Sequence, residues 1–290
     1  MKILIIEIEV KLRGNEQLHY FSLLLFANIA SSFLVVVIIQ NGRVLHHRFH
    51  SQVPFLNFSL AYDAGYSYSH PDYAEIVVVR HGETAWNAER KIQGQADIEL
   101  NQAGRQQAAA VGNRLSKEPK ISAIYSSDLQ RAFETAQIIA VKCGGPEVVK
   151  DIDLRERHMG DLEGVGYGEI KKTNPMAYKT LVSKNDNEEL PGGGESVAQL
   201  FERCKSALLR IGRKHKGERV VVVTHGASIE TLYKWASANG RHEGKIDNAS
   251  ITVFHLYGDD KWTLKMRSGV SHLSQNGFLK PGFGGDKTSG

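Results

Sequence analysis

Two histidines of this 290-residue chain stand in the same local setting. His81 follows the run "EIVVVR" and His225 follows "RVVVVT", and each is followed by glycine. A single histidine has many structural uses. Two of them, each at the end of a valine-rich run and before a residue that lets the backbone turn sharply, are poorly explained by packing. Arg80 precedes the first histidine, and Arg131 closes "SSDLQR" after a third apolar run. Arginine's planar fork meets phosphate oxygens two at a time. "SSDLQR" also opens a helix, whose N-terminal amides attract anions. An imidazole beside an anion grip is equipment for phosphoryl transfer through a phosphohistidine. There is no HExxH, no Walker loop and no Asp-rich cluster, so no metal and no cofactor is expected.

These residues need a frame that brings them together. From Asp72 onward, apolar β-branched runs alternate with amphipathic stretches. Strands are expected at 75–79, 121–127, 146–151 and 219–225, and a hairpin at 250–267 around Gly258-Asp259-Asp260. Helices are expected at 101–117 with Asn101 as N-cap, at 128–144, at 195–217 and at 227–238. Ser196 and Gln199 have capping-box spacing. This order predicts an α/β fold of three layers, α/β/α, around a mainly parallel sheet. Ligands of such sheets bind beyond the carboxyl ends of the strands, where both histidines and both arginines fall. No repeat with a period of 20–50 residues is visible.

The bulk numbers exclude some classes. With 36 Lys+Arg against 32 Asp+Glu the formal charge is +4, too mild and too dispersed to predict a nucleic-acid partner. Two cysteines, Cys143 and Cys204, form no CxxC and predict neither a disulfide framework nor a cysteine-rich zinc site. The first 71 residues differ from the rest. Residues 20–39 are twenty residues without a charge, long enough to cross a bilayer as a helix. Three readings stand for this part: a membrane anchor, a buried hydrophobic hairpin, or an extension the natural protein lacks. Its acidic residues argue against a transit peptide. The expected division is an N-terminal extension and linker over 1–71, a catalytic domain over 72–273 and a mobile tail over 274–290. The catalytic domain is expected in the cytoplasm, and a membrane partner only if 20–39 is a genuine anchor. The sequence sets no oligomeric state.

"RHGETAWN" resembles the signature of the histidine phosphatase superfamily, which includes the cofactor-dependent phosphoglycerate mutases. The resemblance runs from about Asp72 to Leu273 through "QGQADIELNQAGRQQA", "IYSSDLQRAFETA", "LRERHMGDLEG", "PGGGES" and "THG", and is nearest to the phosphoglycerate-mutase-like phosphatases of plants. It implies a phosphoglycerate-mutase-like fold and a small phosphorylated substrate. By the same resemblance His81 is the nucleophile, Arg80 and Arg131 clamp the phosphate, and His225 stabilises charge on the transferring oxygens. Glu156 is the acid that protonates the leaving oxygen, and Asn87 and Gln93 are further polar groups of the pocket. Thr84 could touch phosphate or shape the turn, and Glu83 is assigned to the turn. His158 could line the entrance or face solvent. Glu163-Gly164 is read as packing, and Glu195-Ser196 as a helix start. Glu230 stands where relatives often carry arginine.

The periphery must separate hydrolase from mutase. Mutases of this type carry Ser/Thr-Gly-Trp after the first motif, where this chain has Gln93-Gly94-Gln95. They carry tyrosine three residues past the acid, here Met159, and a long insertion with paired arginines that holds the substrate carboxylate. The segment 165–191 here is short and has no arginine, leaving Lys171, Lys172, Lys179 and Lys184 as anion contacts. A metal-independent phosphomonoesterase is therefore expected, acting on a sugar phosphate, phosphoserine or a phosphoglycerate-like compound. The alternatives are a 2,3-bisphosphoglycerate-dependent phosphoglycerate mutase and a phosphate-binding interaction domain without catalysis.

Overall fold

The computed structural model describes residues 3–14, 17–28, 33–40, 43–48, 71–236 and 245–274. The chain divides into two units, Met1–Ser67 and Tyr68–Gly290. In the first, strands β1 (Ile3–Gly14), β2 (Gln17–Asn28), β3 (Phe33–Gln40) and β4 (Arg43–Arg48) pair in chain order, each antiparallel to the next. The uncharged stretch 20–39 thus contributes to two strands rather than one helix, and part of the expected linker is β4. Apolar length alone does not choose between helix and strand, and the β-branched residues Val35–Val37, Ile38 and Ile39 favour the strand. Among the described residues no helix is long and apolar enough to cross a membrane. The linker beyond β4 up to residue 70, and the tail after residue 274, lie outside the described residues.

The second unit is built on a sheet of β5 (Tyr73–Arg80), β6 (Ala123–Ser126), β7 (Val148–Lys150), β8 (Arg219–Thr224), β9 (Ile251–Tyr257) and β10 (Trp262–Gly269), in the order β10-β9-β5-β8-β6-β7. Strands β5, β8, β6 and β7 run parallel, and the hairpin β9–β10 adds an antiparallel edge. The helices are α1 (Ala85–Ala88), α2 (Gln102–Leu115), α3 (Gln130–Lys142), α4 (Ile170–Thr173), α5 (Pro175–Leu181), α6 (Val197–Lys214), α7 (Gly226–Ala236) and α8 (Ser271–Ser274).

Strict alternation along the buried strands makes the three layers. Ile76 and Val78 of β5, with Val220 and Val222 of β8, pack on α6 and α7 through Leu208, Ile211, Ile229 and Leu232. Val77, Val79, Val221 and Val223 point the other way and pack on α2 and α3 through Val111, Leu115, Ala136 and Ile139. A strand covered on both faces must be apolar at every position, hence the unbroken valines. Over the carboxyl end of the sheet, α4 and α5 form a cap with its own small core of Ile92, Met159, Leu162, Ile170, Ala177 and Leu190. Cys143 and Cys204 are both free, and burial pushes the Cys204 thiol up to about 12.

Candidate active site

The parallel pairing of β5 with β8 places Arg80 opposite Thr224, so the next residues, His81 and His225, leave adjacent strands side by side. Their ring centroids are 5.1 Å apart. The His81 backbone N–H donates to the Thr224 carbonyl at 3.0 Å, and Asn248 donates to the His81 carbonyl at 3.1 Å. Gly82 turns the chain away because its backbone meets that of Gly104 in α2: a methyl on Gly82 would lie 2.4 Å from the Gly104 carbonyl oxygen. Thr135 of α3 accepts the Gly82 N–H at 3.1 Å and donates to the Arg131 carbonyl at 2.7 Å, so one hydroxyl ties the turn to the helix that carries Arg131.

One contact fixes the tautomer of His81. Nδ1 lies 2.7 Å from the Gly82 carbonyl oxygen, which can only accept, so Nδ1 carries the proton and Nε2 keeps its lone pair. That Nε2 is buried and has no protein partner among the described residues. Arg80, His81, Arg131, Glu156 and His225 are all fully buried. Burial, then Arg131 and Arg80, hold His81 well below the usual 6.5 against the opposing Gly82 carbonyl. Burial, then Arg131, His81, Arg203 and Arg80, do the same to His225. Both imidazoles are therefore neutral at pH 7. Burial lowers the Arg131 guanidinium to about 10, which leaves it cationic.

Arg131 is fixed by carbonyl oxygens, donating to Ala96 at 2.8 Å and Gly94 at 2.7 Å. Arg80 donates to the Ile246 carbonyl at 2.7 Å. Asn87 and Gln93 turn their oxygens inward to the protein. Asn87 Oδ1 accepts from Thr84 and Asn248, and Gln93 Oε1 accepts from the Thr84 hydroxyl. Their nitrogens, with Arg131 Nε and both ring nitrogens of His225, are buried without a protein partner among the described residues. This is a concentration of donors and positive charge around one lone pair. Its complement is a compact anion with several acceptor oxygens, and a phosphoryl group has that form.

Glu156 joins the set from a loop before α6. Its Oε1 accepts the Arg157 N–H at 2.8 Å and its Oε2 the Ala227 N–H at 3.1 Å, in the first turn of α7. Arg203 of α6 holds that loop, donating to the carbonyls of Asp153, Arg155 and Glu156 at 3.0, 2.6 and 2.7 Å and pairing with Glu195 at 2.7 Å. All seven expected site residues are thus buried around the ends of β5 and β8 and the loops beside them. Arg203, Thr135 and Asn248 are not apparent from the sequence: each acts through backbone contacts, and Asn248 is 167 positions from the residue it holds.

Some expectations are corrected and others hold. The N-terminal amides of α3 serve the protein: Gln130 N–H donates to the Asp97 carboxylate at 2.7 Å and Leu129 N–H to Ser127 at 3.3 Å. The chain's own exposed carboxylate, Asp97, occupies the place expected for a ligand anion. Thr84 is the N-cap of α1, and Ser196 caps α6 with Gln199 closing the box. Glu163 accepts the Gln95 and Met159 N–H groups, a packing role. Beside Glu156 lies a cavity of about 380 Å³ walled in part by Arg157, Met159, Ala227, Glu230 and Lys234. Of the four lysines between 165 and 191 only Lys184 borders it, and His158 does not. The cavity has an arginine, but Arg157 reaches it from outside that segment. Its signal was its place next to Glu156. Among the described residues no group of His, Cys, Asp or Glu could hold a metal ion.

Known proteins resemble this chain in sequence and in fold. The profile of the histidine phosphatase superfamily (branch 1) matches residues 76–268. Phosphoglycerate mutase-like protein 4 of Arabidopsis thaliana is 62% identical over 219 residues, 76% of this chain and 95% of that protein. A metal-independent phosphoserine phosphatase of the same plant is 49% identical over 215 residues, 74% of this chain and 90% of that one. The crystal structure of phosphoserine phosphatase from Entamoeba histolytica with 3-phosphoglyceric acid superposes with a TM-score of 0.61 at 32% identity, covering 69% of this chain and 99% of that chain.

Proposed function

We infer the activity from one premise: this chain belongs to the histidine phosphatase superfamily (branch 1). It is a phosphoric monoester hydrolase of the metal-independent kind, acting on a small phosphorylated metabolite. The observation that carries the reading is His81, whose Nδ1 is committed to the Gly82 carbonyl while its Nε2 has no protein partner between two arginines and a second histidine. The residues assigned to this chemistry all lie within the expected domain 72–273.

In this mechanism the Nε2 lone pair attacks phosphorus and the bond from phosphorus to the leaving oxygen breaks. Glu156, as the carboxylic acid, gives its proton to that oxygen, so the alcohol leaves neutral. Arg80, Arg131 and His225 surround the equatorial oxygens, where the transition-state charge is spread. A neutral His225 still supplies one N–H. Asn87 and Gln93 add the amide donors that lack protein partners. In the second half Glu156, now the carboxylate, takes a proton from water as its oxygen attacks phosphorus. The P–N bond breaks, phosphate leaves, and His81 is neutral again.

The relatives include a phosphoserine phosphatase and one crystallised with 3-phosphoglyceric acid. We take short phosphorylated carboxylic acids as the substrate class. Phosphate release should be measured across a panel of phosphomonoesters, with interconversion of 3- and 2-phosphoglycerate on the same sample. The expected result is release exceeding interconversion, abolished in His81→Ala. Faster interconversion than release would make the protein a mutase.

A further inference from the structure

The cavity beside the Glu156 loop offers space for a leaving alcohol. Its wall includes Arg157 and Ala227, the two residues whose amides hold the Glu156 carboxylate. Glu156 itself does not line the cavity, but the two residues that hold its carboxylate do, which brings the cavity wall next to the acid. Two side chains of opposite charge face this space. Arg157 is 7% exposed, and its only side-chain bond among the described residues runs from Nε to the Glu195 carbonyl at 2.8 Å. Its two Nη groups have no hydrogen-bond partner among the described residues and are not sealed from solvent, so they are available to an anion that enters the cavity. Glu230, on α7, is half-buried and has neither a hydrogen bond nor an ion pair among the described residues. Lys234 lies one turn further along α7 without pairing to it, and Arg157 does not pair with it either. Lys184 and Asp186 border the same cavity but are exposed, where water serves both.

Opposite charges lining a space of about 380 Å³ without closing on one another fit a ligand that carries both signs. We propose that the cavity receives a leaving alcohol bearing a carboxylate and an ammonium, that is, the side of a phosphorylated α-amino acid, with Arg157 the partner of the carboxylate and Glu230 the partner of the ammonium. This rests on the hydrolase reading above and deepens it. Arg157's planar fork suits a carboxylate bidentately. Glu230 distinguishes an amine from the hydroxyl that replaces it in the glycerate analogue, because only the amine is charged.

The test uses the full chain and four substrates that differ in the leaving group. O-phosphoserine has both charges, 3-phosphoglycerate only the carboxylate, O-phosphoethanolamine only the amine, and glycerol 1-phosphate neither. The readout is the ratio of kcat/KM between substrates on one preparation, which cancels losses common to all four. Glu230→Gln should lower the phosphoserine-to-phosphoglycerate ratio about tenfold, and Glu230→Lys should lower it further. Arg157→Met should lower both carboxylate substrates against the other two by about tenfold or more, with partial recovery in Arg157→Lys. Ratios within about twofold of the parent in both Glu230 variants would overturn the ammonium assignment. An Arg157→Met that slows all four substrates equally would make Arg157 a support for Glu156 instead. If the four are hydrolysed through His81 and the ratios do not move, only this inference fails. Release from none of them would overturn this inference, and release from no phosphomonoester of the wider panel either would end the hydrolase reading with it.

Discussion

The division of labour at the site is decided by single hydrogen bonds. The Gly82 carbonyl sets the His81 tautomer, and two backbone amides, one on each oxygen, fix the orientation of the Glu156 carboxylate. This gives Glu156 a role that scales with the leaving group. Alkyl phosphates need the proton, while p-nitrophenyl phosphate leaves readily without it. Glu156→Gln should therefore lose about 10²–10⁴-fold in kcat/KM on O-phosphoserine and far less on p-nitrophenyl phosphate, since kcat/KM reports the steps up to departure of the leaving group. Equal losses in kcat/KM on both would contradict Glu156 as the proton donor to the leaving oxygen. The residues legible in the sequence were those with a local signature: His81 and His225 after their valine runs, Arg80 at the end of β5, and Arg131 in the first turn of the helix that "SSDLQR" opens. Arg157 was hidden by the more conspicuous residues of "LRERHMG", although it is as close to Glu156 in sequence as a residue can be. Asn248 had no local signal, since only the pairing of β9 with β5 brings it to the His81 carbonyl.

At the scale of elements, the site depends on how closely α2 approaches the turn after β5. Gly104 of α2 leaves no room for a side chain: a methyl there would lie 2.1 Å from the Glu83 carbonyl oxygen. Gly104→Ala should cost about 3 kcal/mol by overpacking, read as a lower urea midpoint, and should also reduce kcat because the displaced turn carries His81. Unchanged stability and kcat would show that the crossing is slack. The strands and long helices were readable because periodicity and caps agree. Asn101 does accept the Gly104 N–H at 2.8 Å, and Ser196 and Gln199 do close a capping box. The N-terminal stretch was less readable because twenty uncharged residues satisfy the length rule for a membrane helix as well as the pattern of two strands. The α3 N-terminus misled for another reason: nothing near it in sequence announces that Asp97 will fill it.

At the scale of the whole molecule, two buried neutral histidines between arginines tie folding to pH. Both have folded values well below 6.5. Below 6.5 the unfolded chain binds protons there that the folded chain refuses, so stability falls as pH drops from 6.5 toward the folded values, and these groups add no slope above 6.5. Urea midpoints at pH 7.5, 6.5 and 5.5 should be level across the first step and fall across the second, with a smaller fall in His225→Gln. A fall of equal size in that variant would place the effect elsewhere in the molecule. The same charge arrangement underlies the step on which the mechanism turns, the passage of phosphate through His81 on its way to water. The direct measurement is a single-turnover quench with radiolabelled O-phosphoserine, following protein-bound label and free phosphate together. The expected result is a base-stable, acid-labile label on His81 that forms and decays as phosphate appears and is absent in His81→Ala. Phosphate released at the parent rate with no protein-bound label, or by His81→Ala, would contradict it.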